Sequence, residues 1–194
     1  MTVIKPMGCC RYCRSIRLFT MIRVLGIDPG LQITGYGLVD LADGQFDPIL
    51  VEAGIIRLAT RQSIESRLVQ LYEDLDAIID EFSPACAAVE KLYAHYRHPR
   101  TAILMAHARG AILVCVQRHN IPVAHLPSTE VKKAVTGYGH ASKLQMQRAV
   151  QAQCRLKELP APPDVADAIA IALIQARRMT LNGTEARRSR PIKE

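Results

Sequence analysis

Four carboxylates stand where ordinary chain architecture does not ask for charge. Asp28 ends the strand-like run "IRVLGID" and is followed at once by Pro29-Gly30. Glu90 ends "ACAAVE", a short, small and apolar segment bounded by Pro84. A strand that apolar belongs in the middle of a sheet, where an acid needs a partner. Asp164 and Asp167 lie three residues apart in "PPDVADAIAIAL", which places both on one face of a helix. Each acid has an ordinary alternative. Asp28 before Pro-Gly can be a turn residue, and Asp164 can serve the positive end of a helix dipole for under ~1 kcal/mol. Together they argue differently, because four converging acids repel one another and raise each other's pKa unless a cation sits among them. All-oxygen ligation suits Mg²⁺ or Mn²⁺ and disfavours zinc. Two such ions roughly 3.5–4 Å apart can activate a water and stabilise the leaving oxygen of a phosphodiester.

The elements that must position these acids follow from periodicity and punctuation. "IRVLGID", "ITGYGLVD" and "PILVEAGIIRL" read as strands separated by Pro29-Gly30, Asp43-Gly44 and Asp47-Pro48, an antiparallel meander. Leu68, Leu71, Leu75, Ile78, Ile79 and Phe82 then recur at helical spacing, with Ser63 as candidate N-cap. "ACAAVE" is a buried strand, "PRTAILMAHARGAILVCVQRHN" a long helix and "IPVAHL" a last strand. Three helices close the chain: "STEVKKAVTG" with Ser128 as candidate N-cap and Gly137 as stop, "ASKLQMQRAVQAQC", and "PPDVADAIAIALIQARR" entered at Pro163. Strand-helix-strand segments require crossovers, so the order predicts a mixed α/β sheet with helices on both faces.

The 194 residues fit one domain, expected over 21–178. Residues 1–20 are expected to be an extension or a misread start, since Met21 stands just before the first strand, and residues 179–194 a polar basic tail. The net charge of +7 is unevenly spread: residues 38–90 hold eleven acidic and three basic residues, residues 91–160 eleven basic and two acidic. Such a division suits one surface facing a polyanion, or else two solvated faces. Cys9, Cys10 and Cys13 cluster in "CCRYC", without the second cluster a zinc site would want; Cys86, Cys115 and Cys154 sit alone in apolar stretches and read as reduced core residues. The six histidines show no zinc spacing. Arginines interrupt the only apolar run near the N-terminus, and no run approaches the ~18 apolar residues of a membrane span. A cytoplasmic location is expected.

"GIDPG" with "TGYG", "VEKLY", "ARG", "VKKAVTGYGHASK" and "PPDVADAIAIAL" occur in this order. In these motifs the chain resembles the RuvC family of Holliday-junction resolvases, over about Ile22 to Arg177. The resemblance implies an RNase H-like fold, a five-stranded mixed sheet flanked by helices, in a homodimer. The family's four metal-binding acids fall on Asp28, Glu90, Asp164 and Asp167. They would hold two Mg²⁺ ions per subunit, Mn²⁺ being able to substitute, for hydrolysis that leaves a 5′-phosphate. Two subunits would cut opposing strands of a four-way DNA junction symmetrically, in recombination and repair, with the RuvA–RuvB branch-migration complex as partner. Lys132 and Lys143 match lysines that contact DNA near the scissile phosphate; solubilising charge is their alternative. Tyr93 stands where the family often has Phe and could stack on an unpaired base, or pack half-buried on the next helix. The chain departs from the pattern in "AHYRHPRTAILMAHARG", where Arg97 and Arg100 are candidates for backbone contacts, and in Leu31-Gln32 where Ser-Arg is usual.

Three rivals frame these expectations. A YqgF-type RNA-processing nuclease also opens on a strand-borne Asp and a Gly-rich turn. A non-catalytic junction-binding protein would gain nothing from four mutually repelling acids. An actin-like ATPase would need a second Gly-rich phosphate loop and a longer chain.

Overall fold

The computed structural model describes residues 21–42, 45–92 and 99–188. Five strands form one mixed sheet: β1 (Met21–Asp28), β2 (Ile33–Ala42), β3 (Ile49–Arg57), β4 (Cys86–Glu90) and β5 (Val123–Leu126). They lie in the order β3-β2-β1-β4-β5, with β1–β2–β3 antiparallel and β4 and β5 added in parallel. Helices α1 (Ile64–Phe82) and α2 (Pro99–Arg118) supply the crossovers and cover one face. Helices α3 (Ser128–Thr136), α4 (Lys143–Cys154) and α5 (Pro163–Arg188) cover the other. The expected mixed sheet with helices on both faces is present.

Strand alternation decides where the acids go. Leu25 and Ile27 of β1 and Ala87 and Val89 of β4 join the core under α1 and α2, whereas Val24 and Ala88 join the core under α5. Asp28 and Glu90 continue the second series, so both emerge on the α5 face. β1 and β4 run parallel with Ile27 paired to Val89, and the two acids leave neighbouring strand ends side by side.

Helix α5 reaches that face because the strands beneath it lack side chains. A Cβ on Gly26 would stand 2.3 Å from the carbonyl oxygen of Ala168, and one on Gly35 would stand 2.2 Å from that of Asp164. The glycines of "LGID" and "TGYG" thus serve close approach of helix backbone to sheet. Gly30 serves the turn, where Thr34 Oγ1 donates to its carbonyl at 2.6 Å and accepts from its amide at 3.2 Å.

Two expectations are corrected. Ser128 is not the N-cap of α3: Pro127 occupies that position without a side-chain cap bond, and Ser128 is already helical. Its hydroxyl is committed to Glu90 instead. Helix α5, read in the sequence as ending with "LIQARR", continues to Arg188. The signals at Ser63 and Gly137 hold: Ser63 Oγ accepts from the Ser66 amide, and Gly137 closes α3 at φ +81°. Ser142 and Gln145 add a capping box at the start of α4.

Candidate active site

The four acids come from three elements: Asp28 from the end of β1, Glu90 from the end of β4, and Asp164 and Asp167 from the first turns of α5. All four are half-buried. Burial pushes the Asp28 carboxyl well above the usual range, and Glu90, Asp167 and Asp164 push it further. Burial and then Asp167 raise Glu90 to about 7. Asp167 is raised by burial and by Asp164. The structure therefore brings all four sequence candidates into one electrostatic cluster.

Contrast with the other buried acids shows how unusual this is. Asp40 receives two bonds from the Arg23 guanidinium, at 2.7 and 2.8 Å, and Glu52 accepts the Tyr36 hydroxyl at 3.1 Å. For Asp28 and Asp167, what offsets the charge comes from lysines. Lys143, the first residue of α4, opposes the rise of Asp28 and Asp167; Lys132 on α3 opposes that of Glu90 and Asp167. Both predicted lysines thus face the cluster. Tyr93 and Arg97 lie outside the described residues, as do Cys9, Cys10 and Cys13, and the side chain of Arg100 is likewise not described.

Sequence reasoning misses three residues that support the site. Ser128 hydrogen-bonds Glu90 because Glu90 pairs with Leu126 at the end of β5, two residues before it. Arg109, within the "ARG" motif, donates from Nε to the Glu90 carbonyl at 3.1 Å and reaches His125 Nδ1 at 2.8 Å. Burial and the Arg109 charge lower the His125 pKa, which suits an imidazole accepting that bond. Arg67 on α1 donates to the Leu31 carbonyl and closes the loop after Asp28. Motif matching could have flagged Arg109; nothing local marks Ser128 or Arg67.

Four carboxylates that act on one another's charge, flanked by two lysines, are an all-oxygen donor set that fits a divalent metal. The loop geometry does not fit a nucleotide-phosphate cradle, since the Gly30 amide is already bonded to Thr34 Oγ1. A cleft lined by Asp28 and Asp164, and walled by Arg67, Thr101 and Met105, borders the cluster.

The raised carboxyls make a prediction for the metal-free protein. A carboxyl whose folded pKa exceeds its unfolded value contributes stability below the unfolded value and loses it as pH rises through the folded one. For Glu90 that window runs from 4.5 to about 7. At ~1.4 kcal/mol per unit, the cluster should cost up to a few kcal/mol above it. Thermal melts in chelator should therefore fall from pH 5 to pH 8, and Mg²⁺ should restore most at the alkaline end. A pH-independent melting temperature in chelator would dissolve the electrostatic cluster.

Comparison with known proteins gives a consistent result. The family described as "Crossover junction endodeoxyribonuclease RuvC" matches residues 24–175. Proteins of that name from Desulforamulus reducens and Rhodopirellula baltica are each 42% identical, over 79% and 77% of this chain and 92% and 83% of their own lengths. Among solved structures, T. thermophilus RuvC in complex with a Holliday junction substrate superposes with a TM-score of 0.75 at 30% identity, covering 83% of this chain and 96% of that one. A yeast mitochondrial Holliday junction resolvase shares the fold, with a TM-score of 0.57 at 15% identity.

Proposed function

This chain belongs to the RuvC family of crossover junction endodeoxyribonucleases, and from that premise we propose that it resolves Holliday junctions by phosphodiester hydrolysis at the Asp28–Glu90–Asp164–Asp167 cluster. The observation that carries the assignment of the site is the elevation of Asp28, Glu90 and Asp167 by burial and by neighbouring acids, Asp164 among them, with two lysines facing the cluster. The RNase H-like sheet supports it by delivering Asp28 and Glu90 from adjacent parallel strands.

Asp28, Glu90, Asp164 and Asp167 would hold two Mg²⁺ ions, with Mn²⁺ able to substitute. Bound there, the ions supply an activated water and stabilisation of the leaving oxygen. The chain's own residues do the rest. Lys132 and Lys143 meet the backbone phosphates that approach the acids. Ser128 orients the Glu90 carboxylate, and Arg109 fixes the strand end that carries it. Tyr93, three residues past Glu90, is the candidate for stacking on an unpaired base at the junction centre. Two subunits related by a two-fold would cut opposing strands symmetrically, matching the junction's own symmetry. A RuvA–RuvB complex is the proposed partner in branch migration. Among the described residues no helix is long and apolar enough to cross a membrane.

Cleavage of a mobile four-way junction, beside matched duplex and single-stranded RNA, tests this directly. Paired symmetric nicks on the junction alone, dependent on Mg²⁺, are expected. Binding without cutting would leave a junction-binding protein, and cutting of RNA alone would transfer the chain to the processing nucleases.

Lys132→Ala and Lys143→Ala should each weaken junction binding and flatten its salt dependence, by about 0.9 in the log–log slope for every phosphate that is no longer neutralised. An unchanged slope in titrations from low to moderate salt would remove that lysine from the interface.

A further inference from the structure

On the sheet face opposite the carboxylate cluster, α1 and α2 bring together a second set of ligating atoms. Asp76 and Asp80 lie one turn apart on α1, and Cys115 and His119 one turn apart at the end of α2. His119 Nε2 stands 2.8 Å from Asp76 Oδ1, and Cys115 Sγ lies 3.9 Å from the same oxygen. One ligating atom from each of Asp76, Cys115 and His119 falls within 4.8 Å of the others. Cys115 is fully buried, while the Asp76 and His119 side chains are partly open to solvent.

We propose that Asp76, Cys115 and His119 form a transition-metal site of the Zn²⁺ class that ties α1 to α2, separate from the Mg²⁺-type acids. The donor chemistry selects the ion: thiolate and imidazole favour Zn²⁺ and its first-row neighbours over Mg²⁺. The geometry is close to what such an ion needs. With metal–sulfur near 2.3 Å and metal–nitrogen or –oxygen near 2.0 Å, tetrahedral ligation sets S···O at about 3.5 Å and N···O at about 3.3 Å. The two separations here differ from those by roughly half an ångström each, within reach of side-chain rotation. Asp76 and His119 are partly open to solvent, from which water can supply a fourth ligand. Binding converts the Cys115 thiol to thiolate and releases its proton to solvent.

Asp80 fits the same reading. His119 Nδ1 lies 3.7 Å from Asp80 Oδ1. When Nε2 binds metal, Nδ1 carries the proton and points it at that carboxylate, the outer partner that metal-bound histidines commonly have. Asp80 is then a positioning residue and not a ligand. The site went unseen in the sequence because its two halves are on different helices, 39 residues apart between Asp76 and Cys115.

Titration of the full chain with Co²⁺ tests the proposal, because a near-ultraviolet thiolate-to-cobalt charge-transfer band reports sulfur ligation and is silent at the oxygen cluster. One equivalent of Co²⁺ should produce the band, and Zn²⁺ should abolish it. Cys115→Ser and, independently, the part-exposed His119→Gln should remove or greatly weaken it. Asp80→Asn should weaken binding by about 10–100-fold. A chain with Cys9, Cys10 and Cys13 all changed to Ser should keep the band. No band in the wild-type chain overturns the proposal, as does a band that survives Cys115→Ser and vanishes in the triple-serine chain.

Discussion

Asp28→Asn should abolish junction cleavage while leaving junction binding largely intact, and should make the metal-free protein more stable. Asp28 is pushed upward by burial and by all three other acids. The amide keeps the shape and removes the charge, so a metal held by the four acids would lose a ligand. Metal stabilisation of transition-state charge is worth several kcal/mol, and each ~1.4 kcal/mol is tenfold in rate. A loss on the order of 10³-fold or more in cleavage follows. The same change relieves repulsion, so the chelator melt should rise and its fall with pH should shrink. Such a trade of stability for activity is the expected mark of a working site. Junction-binding assays and single-turnover cleavage together decide the matter; loss of binding, or a melt that drops, would make Asp28 structural. Glu90→Gln, Asp164→Asn and Asp167→Asn should follow it in cleavage.

Gly35→Ala should also disable cleavage, though it touches no acid side chain. Gly35 pairs with Asp28 across β1 and β2. Its added Cβ would stand 2.2 Å from the Asp164 carbonyl oxygen and 3.2 Å from the Ala168 Cβ. The first of these neighbours is helix backbone and cannot swing aside as a flexible side chain would. The first turn of α5 must lift, and Asp164 and Asp167 lift with it, away from Asp28 and Glu90. A misplacement near 1 Å can cost about 10²-fold in rate, and overpacking of this kind costs about 1–3 kcal/mol of stability. Single-turnover cleavage with a folding check by circular dichroism measures both. Wild-type cleavage in a folded Gly35→Ala chain would show that α5 does not rest on β2 as described.

The features legible in the chain alone are local in their physics. Alternation in β1 and β4 and the 3.6-residue repeat in α1 depend on neighbours within a turn or a strand. That is why the element order, the cap at Ser63, the stop at Gly137 and the acids at strand ends can all be read from the residues. Ser128 misleads because a serine before a helical run signals a cap, and only the pairing of Glu90 with Leu126 shows that its hydroxyl has another partner. The end of α5 is set too early because a polar run reads as tail even where the backbone stays helical to Arg188. The glycines of "LGID" and "TGYG" lie within strands with no local reason for their type, and only the packed fold shows that Gly26 and Gly35 let α5 lie on the sheet. The assembled fold alone decides that Lys132 and Lys143 face the acids, that Arg109 braces Glu90, and that Cys115 and His119 meet Asp76. Those meetings depend on strand order and on how each crossover helix is laid across the sheet. Such long-range choices leave no periodic trace in the chain, so charges tens of residues apart become neighbours only once the sheet is assembled.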